Sequence, residues 1–210
     1  MNILTPGRIS FEAALALQEN LVADLQAGRA DETLVLLEHE PVYTIGRTRD
    51  HSSLRQNLPH PVFETNRGGQ ATFHGPGQLV GYPVLDLSRR GRDLHRYLRF
   101  LEDLLIELSA SYGVTARSRE GLTGVWVGPR KLASLGVGVR KWISMHGFAI
   151  NITRESTQAF AHITPCGLSG VEMTSLAHES GGDIALDDAL ARTADLFMKR
   201  IDHLTDSRTL

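Results

Sequence analysis

Two stretches of the chain repeat apolar side chains at helical spacing. The first runs from Phe11 to Leu25, with Gln18 as a polar exception on its apolar face and Ser10 as a suitable N-cap. The second begins after Asp93, a second plausible cap, and Gly113 supplies its stop. Its apolar positions are Leu94, Tyr97, Leu98, Leu101, Leu104, Leu105, Leu108 and Tyr112. We predict a helix at each place.

Between and after these helices the apolar pattern changes to that of strands. Residues 33–39 form a nearly continuous apolar run of strand length, and residues 41–87 contain short β-like pieces broken by glycine and proline. Residues 122–127, 131–139 and 143–152 read as three successive strands with tight connections. Such short connections predict an antiparallel meander, because parallel strands need a longer crossover.

A last amphipathic helix is predicted after Asp183. The apolar positions expected to face inward are Leu186, Ala189, Leu190, Ala194, Phe197 and Ile201. Helices at both ends and in the middle, with strands grouped between them, predict an α+β fold in which helices cover one face of a sheet.

Composition and charge exclude several classes of protein. A chain of 210 residues is expected to form one compact domain, and 22 basic against 24 acidic residues give no global reason to expect a nucleic-acid partner. The single cysteine excludes an internal disulfide framework and fits a reducing compartment. The N-terminus lacks a hydrophobic signal core, and no apolar run approaches the ~20 residues of a membrane span. We therefore expect a soluble, cytoplasmic protein with no membrane partner.

The segment RGGQATFHGPGQLVGYP, residues 67–83, is the first candidate for chemistry. Its many glycines indicate either tight turns or close approach of a ligand, and glycine content alone favours neither. Arg67, Gln70 and His74, interleaved with these glycines, favour the ligand. The segment matches neither the dinucleotide fingerprint nor the P-loop, so no motif supports a phosphate cradle.

Lys131 and Cys166 are the second candidates. Lys131 opens a run of apolar and small residues, and a solvated lysine at a strand end is its ordinary explanation. Cys166 stands between Pro165 and Gly167, which suggests a backbone shaped to present the thiol, although a lone cysteine is commonly an inert buried residue. If the two side chains meet, the lysine would lower the pKa of the thiol by favouring the thiolate.

Histidines do not indicate a metal site. His39, His74, His146 and His162 form no H-x-x-x-H or H-E-x-x-H spacing, so no metal is expected. The sequence also lacks the G-x-S-x-G nucleophile elbow of serine hydrolases.

Five segments in order, EHEPVYTIG, RGGQATFHGPGQLVGYP, RKLASLG, HGFAIN and TPCGLSG, resemble the motif series of the octanoyltransferases of lipoate biosynthesis. The resemblance runs from the first helix to about residue 176. It implies the catalytic-domain fold of biotin and lipoate protein ligases, a mixed sheet with helices packed on it, in one domain over residues 1–210 with its core roughly at 28–207. It also implies transfer of an octanoyl group from acyl carrier protein to a specific lysine of lipoyl domains.

The resemblance carries roles to individual residues. It assigns the acyl-thioester nucleophile to Cys166 and the lysine that tunes this thiol to Lys131. The substrate-binding residues that it implies are Arg67, Gly68, Gly69, Gln70, Ala71, Thr72, Phe73, His74, Ser134, Leu135, Gly136, Gly147, Phe148 and Ala149.

The same resemblance implies the partners and the absence of a cofactor. The acyl donor is carried on the phosphopantetheine of acyl carrier protein, and a thioester is already activated, so no ATP is expected. The acceptors are lipoyl domains of 2-oxoacid dehydrogenase complexes and the glycine cleavage H protein. Because acyl carrier proteins are acidic, a basic rim is expected, and its candidates are Arg47, Arg49, Arg130, Arg140 and Lys141.

Two alternatives stay open at this point. An ATP-dependent lipoate or biotin ligase on the same fold would need no cysteine and would require free acid with ATP. A non-catalytic acyl- or lipoyl-binding module would lose no function when Cys166 is replaced by alanine.

Overall fold

The computed structural model describes residues 1–164 and 170–204. The strands in these residues are β1 Asn2–Ile9, β2 Thr33–His39, β3 Val42–Ile45, β4 Val62–Glu64, β5 Thr72–His74, β6 Gln78–Val84, β7 Arg117–Arg119, β8 Leu122–Val127, β9 Arg130–Arg140 and β10 Ile143–Asn151. The helices are α1 Phe11–Gln26, α2 Leu94–Ala110, α3 Leu176–Ser180 and α4 Leu186–Arg200. Helices and strands are thus mixed along the chain, as the α+β prediction requires.

A seven-stranded sheet in the order β1-β2-β6-β10-β9-β8-β7 forms the centre of the molecule. The strands β8, β9 and β10 pair antiparallel in sequence order, which confirms the predicted meander. β1 pairs parallel to β2, and α1 connects them. The first three elements are therefore a β-α-β crossover unit.

The apolar pattern of the sequence does not predict β1. This strand carries Pro6, its register shifts between Leu4 and Gly7, and its side chains are mostly exposed. It lies at the edge of the sheet, where proline is tolerated because one row of backbone N–H groups has no neighbouring strand to bind. An exposed edge strand lacks the apolar alternation on which the prediction depended.

Helices cover both faces of the large sheet, so the prediction that helices cover one face is wrong. Leu34 and Leu36 of β2 belong to a core shared with α2 and α4, whereas Val35 and Leu37 pack on the opposite face with Ala14 of α1. Alternate side chains of a strand point to opposite faces, so an apolar run without alternation is buried on both.

The predicted helix ends agree with the structure. The Ser10 hydroxyl accepts a hydrogen bond from the backbone N–H of Ala13 at 3.2 Å, and the Asp93 carboxylate accepts one from Arg96 at 3.0 Å. These bonds satisfy backbone donors that the first turn of each helix leaves without partners. The last helix begins at Leu186, three residues beyond Asp183, and confirms the third prediction.

A three-stranded sheet in the order β4-β3-β5 lies beside the large one. Tyr43 of β3 and Phe73 of β5 pack with Phe160 in a separate apolar cluster. The chain then passes from β5 in this small sheet to β6 in the large sheet within three residues, 75–77. Residues 75–77 therefore connect the two sheets. In the ranges described, no helix has the length and apolar character to cross a bilayer.

Candidate active site

The glycine-rich loop lies against the face of β9. The backbone N–H of Gly68 donates a hydrogen bond to the carbonyl of Val137 at 2.9 Å. A Cβ atom at Gly136 would lie 2.8 Å from the Gly68 carbonyl oxygen, closer than side chains approach backbone atoms. Glycine at position 136 is therefore needed for the close approach of loop and strand.

Arg67 holds the loop from the other side. Its guanidinium is buried and donates to the Thr44 hydroxyl through Nε at 3.2 Å and Nη2 at 2.8 Å, and Nη2 also donates to the Thr44 carbonyl at 2.7 Å. Nη1 donates to the Gly68 carbonyl at 3.0 Å. This planar fork of donors fixes the start of the loop to β3 of the small sheet.

A pocket lies between this loop, the large sheet and the start of α1. It encloses about 460 Å³ of empty space, including its open mouth. Most of the residues predicted to bind substrate line it. They are Arg67, Gly69, Gln70, Thr72, His74, Ser134, Leu135, Gly136, Gly147, Phe148 and Ala149. The structure thus gathers positions from three separate motifs around one space.

Three of the predicted substrate-binding residues do not line the pocket. Ala71 and Phe73 are buried in the apolar cluster of the small sheet, and Gly68 lies on β9 through its backbone. The reason is the alternation of β5, since Thr72 and His74 face the pocket and their neighbours face away. A motif made of consecutive residues does not distinguish side chains that face the pocket from those that face away.

Phe11, Tyr82 and His146 also line the pocket, and the sequence analysis did not predict them as binding residues. His146 has a φ of 55° within β10, a left-handed conformation that is uncommon for residues other than glycine. Its backbone N–H donates to the Gln18 side-chain oxygen at 2.7 Å. Gln18, the polar exception on the apolar face of α1, is therefore buried because it holds this strand position.

Three histidines converge near the pocket although no motif spacing indicated it. Tyr82 donates its hydroxyl proton to His39 Nε2 at 2.7 Å, and His39 Nδ1 donates to the Ile9 carbonyl at 3.2 Å. The rings of His39 and His74 lie 5.5 Å apart. Burial lowers the pKa of His39 and of His146 to about 4 and holds the pKa of His74 well below its usual range. All three side chains are neutral at pH 7.

A chain of side-chain hydrogen bonds orients His74. Its Nδ1–H donates to the Gln78 oxygen at 2.7 Å, and the Gln78 amide donates to Asn151 at 2.9 Å and to the Phe73 carbonyl at 3.2 Å. Asn151 in turn donates to the Thr174 carbonyl at 2.9 Å. With the proton on Nδ1, His74 Nε2 is left as an acceptor.

These histidines do not form a metal site. Both ring nitrogens of His39 have protein partners, and His162 ends a separate 3-10 turn, Glu155–His162. Within residues 1–164 and 170–204, no group of three His, Cys, Asp or Glu side chains is arranged to hold a metal ion.

Lys131 is buried, with 2% of its surface exposed, so the solvated strand-end lysine is excluded. Its Nζ lies 5.3 Å from the centroid of the Trp126 ring, a cation–π distance. Gly124, with a φ of 135°, leaves the space for the lysine stem, because a Cβ atom there would lie 2.7 Å from Lys131 Cε. The lysine side chain is thus held across β8.

Cys166 lies outside the described residues, as do Pro165, Gly167, Leu168 and Ser169. The described residues before Cys166 are bound near the pocket, and those after it are bound to Lys131. Before it, the Thr164 N–H donates to the Ser53 carbonyl at 2.8 Å, and the Ser53 hydroxyl donates to the pocket residue Gln70 at 3.3 Å.

After it, residues 172–174 run alongside Lys131. The Lys131 N–H donates to the Glu172 carbonyl at 2.8 Å, and the Thr174 N–H donates to the Lys131 carbonyl at 2.9 Å. The backbone of Lys131 is therefore bound directly to the stretch of chain that follows the cysteine.

The basic residues predicted to form a rim do not form a single patch. Arg130 and Arg140 are the two ends of β9, about 33 Å apart at ~3.3 Å per residue. Arg130 is paired with Glu179 at 2.8 Å, and Arg49 is paired with Glu64 at 3.2 Å. Lys141 lies in the turn beside Arg140. Arg130 and Arg140 therefore cannot belong to one short patch, and a basic rim for acyl carrier protein stays a prediction.

Comparison with known families agrees with the resemblance found in the motifs. The model of the lipoyl protein ligase A/B catalytic domain family matches residues 10–198. The chain is 54% identical to an octanoyltransferase of Geobacter metallireducens, over 96% of this chain and 94% of that protein. It is 50% identical to an octanoyltransferase of Geotalea uraniireducens, over 99% of this chain and 96% of that protein.

Solved structures share the fold at low sequence identity. A crystal structure of lipoate-protein ligase A bound with ATP superposes with a TM-score of 0.79 at 15% identity, covering 96% of this chain and 85% of that one. The biotin protein ligase of Aquifex aeolicus in complex with biotin and ATP gives 0.64 at 14% identity, covering 98% and 72%. The predicted fold class is confirmed, and the chain belongs to the lipoyl protein ligase A/B catalytic domain family.

Proposed function

We propose that the protein is an octanoyltransferase that moves an octanoyl group from acyl carrier protein to a lysine of a lipoyl domain. The observation that carries this proposal is the identity of 50–54% to octanoyltransferases over nearly the whole of both chains. The ATP-bound ligase shares the fold at only 15% identity, so it supports the architecture and not the reaction.

In the proposed first half-reaction the Cys166 thiolate attacks the thioester carbonyl of the donor. A new thioester forms on Cys166, the bond to the phosphopantetheine sulfur breaks, and that sulfur leaves as a thiol after taking a proton from the Lys131 ammonium, which becomes a neutral amine. Exchange of one thioester for another is close to neutral in free energy, so the donor itself supplies the activation. Covalent catalysis of this kind divides one acyl transfer into two easier steps.

In the second half-reaction the acceptor lysine attacks the acyl-enzyme. Its nitrogen must first lose a proton, and Lys131 is the proposed base that receives it. The amide bond forms, the bond to the cysteine sulfur breaks, the second proton of the attacking nitrogen passes to solvent, and Cys166 is regenerated as the thiolate. The burial of Lys131 beside Trp126 and its backbone bonds to Glu172 and Thr174 support this role, because they hold the amine in one place.

The pocket is the proposed site of the octanoyl chain. Leu135, Phe148 and Ala149 supply apolar lining, and the glycines keep the loop close to the strand. Among the described residues, the Ser134 hydroxyl oxygen is buried without a hydrogen-bond partner, so it is available to the thioester carbonyl of the bound acyl group.

The proposed partners are acyl carrier protein and lipoyl domains of 2-oxoacid dehydrogenase complexes and of the glycine cleavage H protein. A bipartite lipoate protein ligase from Thermoplasma acidophilum, described together with its E2 lipoyl domain, shares the fold at 14% identity, which supports a lipoyl domain as acceptor. We expect no cofactor beyond the phosphopantetheine of the donor. The cytoplasm, where acyl carrier protein and these complexes meet, is the proposed location.

The test is transfer to a purified lipoyl domain under two conditions. With octanoyl acyl carrier protein and no ATP, we expect the domain to gain one octanoyl group, measured by intact mass. Modification only with octanoic acid and ATP would favour the ligase. Failure under both conditions, together with tight binding of octanoate, would favour the binding module.

A further inference from the structure

Strand β9 carries the proposed catalytic lysine at one end and residues of the acyl pocket further along. Lys131 stands at one end of the strand, and the pocket residues 134–136 come next. Val137 follows and pairs with His146 of β10. The Lys131 side chain extends along the strand, because a Cβ atom at Gly124 would lie 2.7 Å from both Lys131 Cε and the Ala133 carbonyl oxygen, which places the amine level with Ala133. At ~3.3 Å per residue, Val137 lies about 13 Å along the strand from Ala133, a span that suits an extended acyl chain of eight carbons. An acyl chain whose carbonyl carbon reacts near Lys131 would therefore point its methyl end toward His146.

A second cavity begins on the other side of His146. It encloses about 940 Å³ of empty space, including its open mouth, and lies between α1, the end of β9 and residues 64–66. Its lining includes the apolar side chains of Leu15, Val22, Val139 and Met145. Of the residues that the structure describes, His146 alone lines both this cavity and the active-site pocket.

The His146 ring is the partition between the two spaces. On the pocket side it packs edge-on against Tyr82, with ring centroids 6.1 Å apart. On the cavity side its Cδ2 atom would lie 3.4 Å from a Cβ atom at Gly138. The side chain is buried, with 3% of the residue exposed.

The partition is held in place by the backbone. The left-handed φ of 55° at His146 is uncommon within a strand, and the Gln18 side chain accepts its N–H at 2.7 Å. Because α1 and β10 both fix this residue, the ring has little freedom to move aside for a longer ligand.

We propose that His146 is a specificity-determining residue that ends the acyl pocket and excludes chains longer than octanoyl. The proposal rests on the octanoyl transfer proposed above. Removing the imidazole would join the pocket to the second cavity and give longer chains a place for their additional methylene groups.

The test compares octanoyl, decanoyl and dodecanoyl acyl carrier proteins as donors for the wild type, His146→Gly and Met145→Ala. Glycine tolerates the left-handed backbone, so His146→Gly removes the ring without adding strain. Met145→Ala enlarges the second cavity and leaves the partition intact. Since one methylene in an apolar pocket changes kcat/KM by roughly 10- to 200-fold, we expect His146→Gly to raise the dodecanoyl-to-octanoyl ratio at least about tenfold. Met145→Ala should leave it within about twofold.

A ratio in His146→Gly equal to that of the wild type would overturn the proposal, as would an equal rise in Met145→Ala. If His146→Gly does not fold, His146→Asn, whose shorter side chain also tolerates this backbone, is judged by the same ratio. Failure of the wild type to transfer octanoyl at all would instead refute the proposed function.

Discussion

The two faces of the large sheet use the same strands for different purposes. Toward α2 and α4, Leu34 and Leu36 contribute to an apolar core. Toward α1, the neighbouring positions begin with Val35 and Leu37 and then give way to a pocket with His39 close behind its wall. The first face is mainly apolar, although Glu102 of α2 is buried there and accepts a hydrogen bond from the Gly124 N–H at 2.9 Å. The second face places buried histidines and a left-handed residue around a pocket.

The largest expected effect is a loss of transfer activity, with no loss of stability, when the Lys131 amine is removed. Lys131→Met keeps a buried stem of similar length and removes the amine, so we expect transfer to fall by roughly 10²- to 10⁴-fold, the usual contribution of a general base. The melting temperature should stay equal or rise, because a buried amine is replaced by an apolar group. A transfer rate within tenfold of the wild type, measured with octanoyl acyl carrier protein, would exclude Lys131 from the reaction.

On the face of the sheet that packs against α2 and α4, we expect a substitution to reduce stability and to leave transfer activity unchanged. Leu101→Ala in α2 should lower the free energy of unfolding by about 2–5 kcal/mol, because Leu101 is fully buried against the sheet. Leu94→Ala is the matched control on the same helix, since Leu94 is exposed and should cost far less. Urea unfolding measures both, and transfer per folded molecule should be unchanged. An equal loss in the two variants would contradict the assignment of this core.

Gly124→Ala is expected to displace the Lys131 side chain by steric contact. The added methyl would meet Lys131 Cε and the Ala133 carbonyl at 2.7 Å each, so the lysine must shift. We expect kcat to fall by about 10- to 100-fold, because a displacement of a reacting group by about 1 Å can reduce the rate by this much.

Gly128→Ala is the control for this prediction, because Gly128 also has a positive φ but its added methyl meets no other atom within 4 Å. Gly124→Ala should lose more stability than Gly128→Ala, because a φ of 135° strains alanine more than 53° does and because its added methyl also meets the Ala133 carbonyl. Activity is therefore compared per folded molecule, and only Gly124→Ala should lose it. Equal losses of activity would mean that strain alone is responsible.

The smallest effect is on stability in mild acid. His39 and His146 have pKa values near 4 in the folded protein, below the value of ~6.5 for an exposed histidine. Between these values the unfolded chain binds more protons, so the free energy of unfolding falls as the pH drops from about 6.5 to 4. Each histidine contributes a slope of up to about 1.4 kcal/mol per pH unit.

Replacing His39 by glutamine, which does not titrate, should reduce this slope in urea unfolding between pH 7 and pH 5. An unchanged slope would mean that His39 takes up its proton without unfolding the protein.

Local patterns in the sequence were sufficient for most of the elements. The helix after Asp93 could be predicted because its apolar repeat, its cap and its terminal glycine agree. The apolar run of β2 also held a signal that the prediction did not use, since a strand without polar positions is buried on both faces. β1 gave no such signal, because an exposed edge strand has no apolar period to detect.

The site could be predicted in part. Motif resemblance brought together most of the pocket. Tyr82 and His146 lie within two of the same motif segments, RGGQATFHGPGQLVGYP and HGFAIN, but only the fold shows that their side chains line the pocket. Gln18 was visible in the sequence as a polar residue on an apolar helix face, and its reason, the bond to the His146 N–H, appears only in the fold. Such a conflict between local pattern and burial is a useful sign of a functional position.

The central claim is a covalent acyl relay through Cys166, and intact-protein mass tests it most directly. Wild type and Cys166→Ala are each incubated with octanoyl acyl carrier protein without ATP, and a lipoyl domain is then added. We expect one octanoyl group on the wild type and none on the variant, followed by its loss as the lipoyl domain gains the same mass. An equal adduct on the variant, or transfer to the domain by Cys166→Ala at the wild-type rate, would contradict the relay.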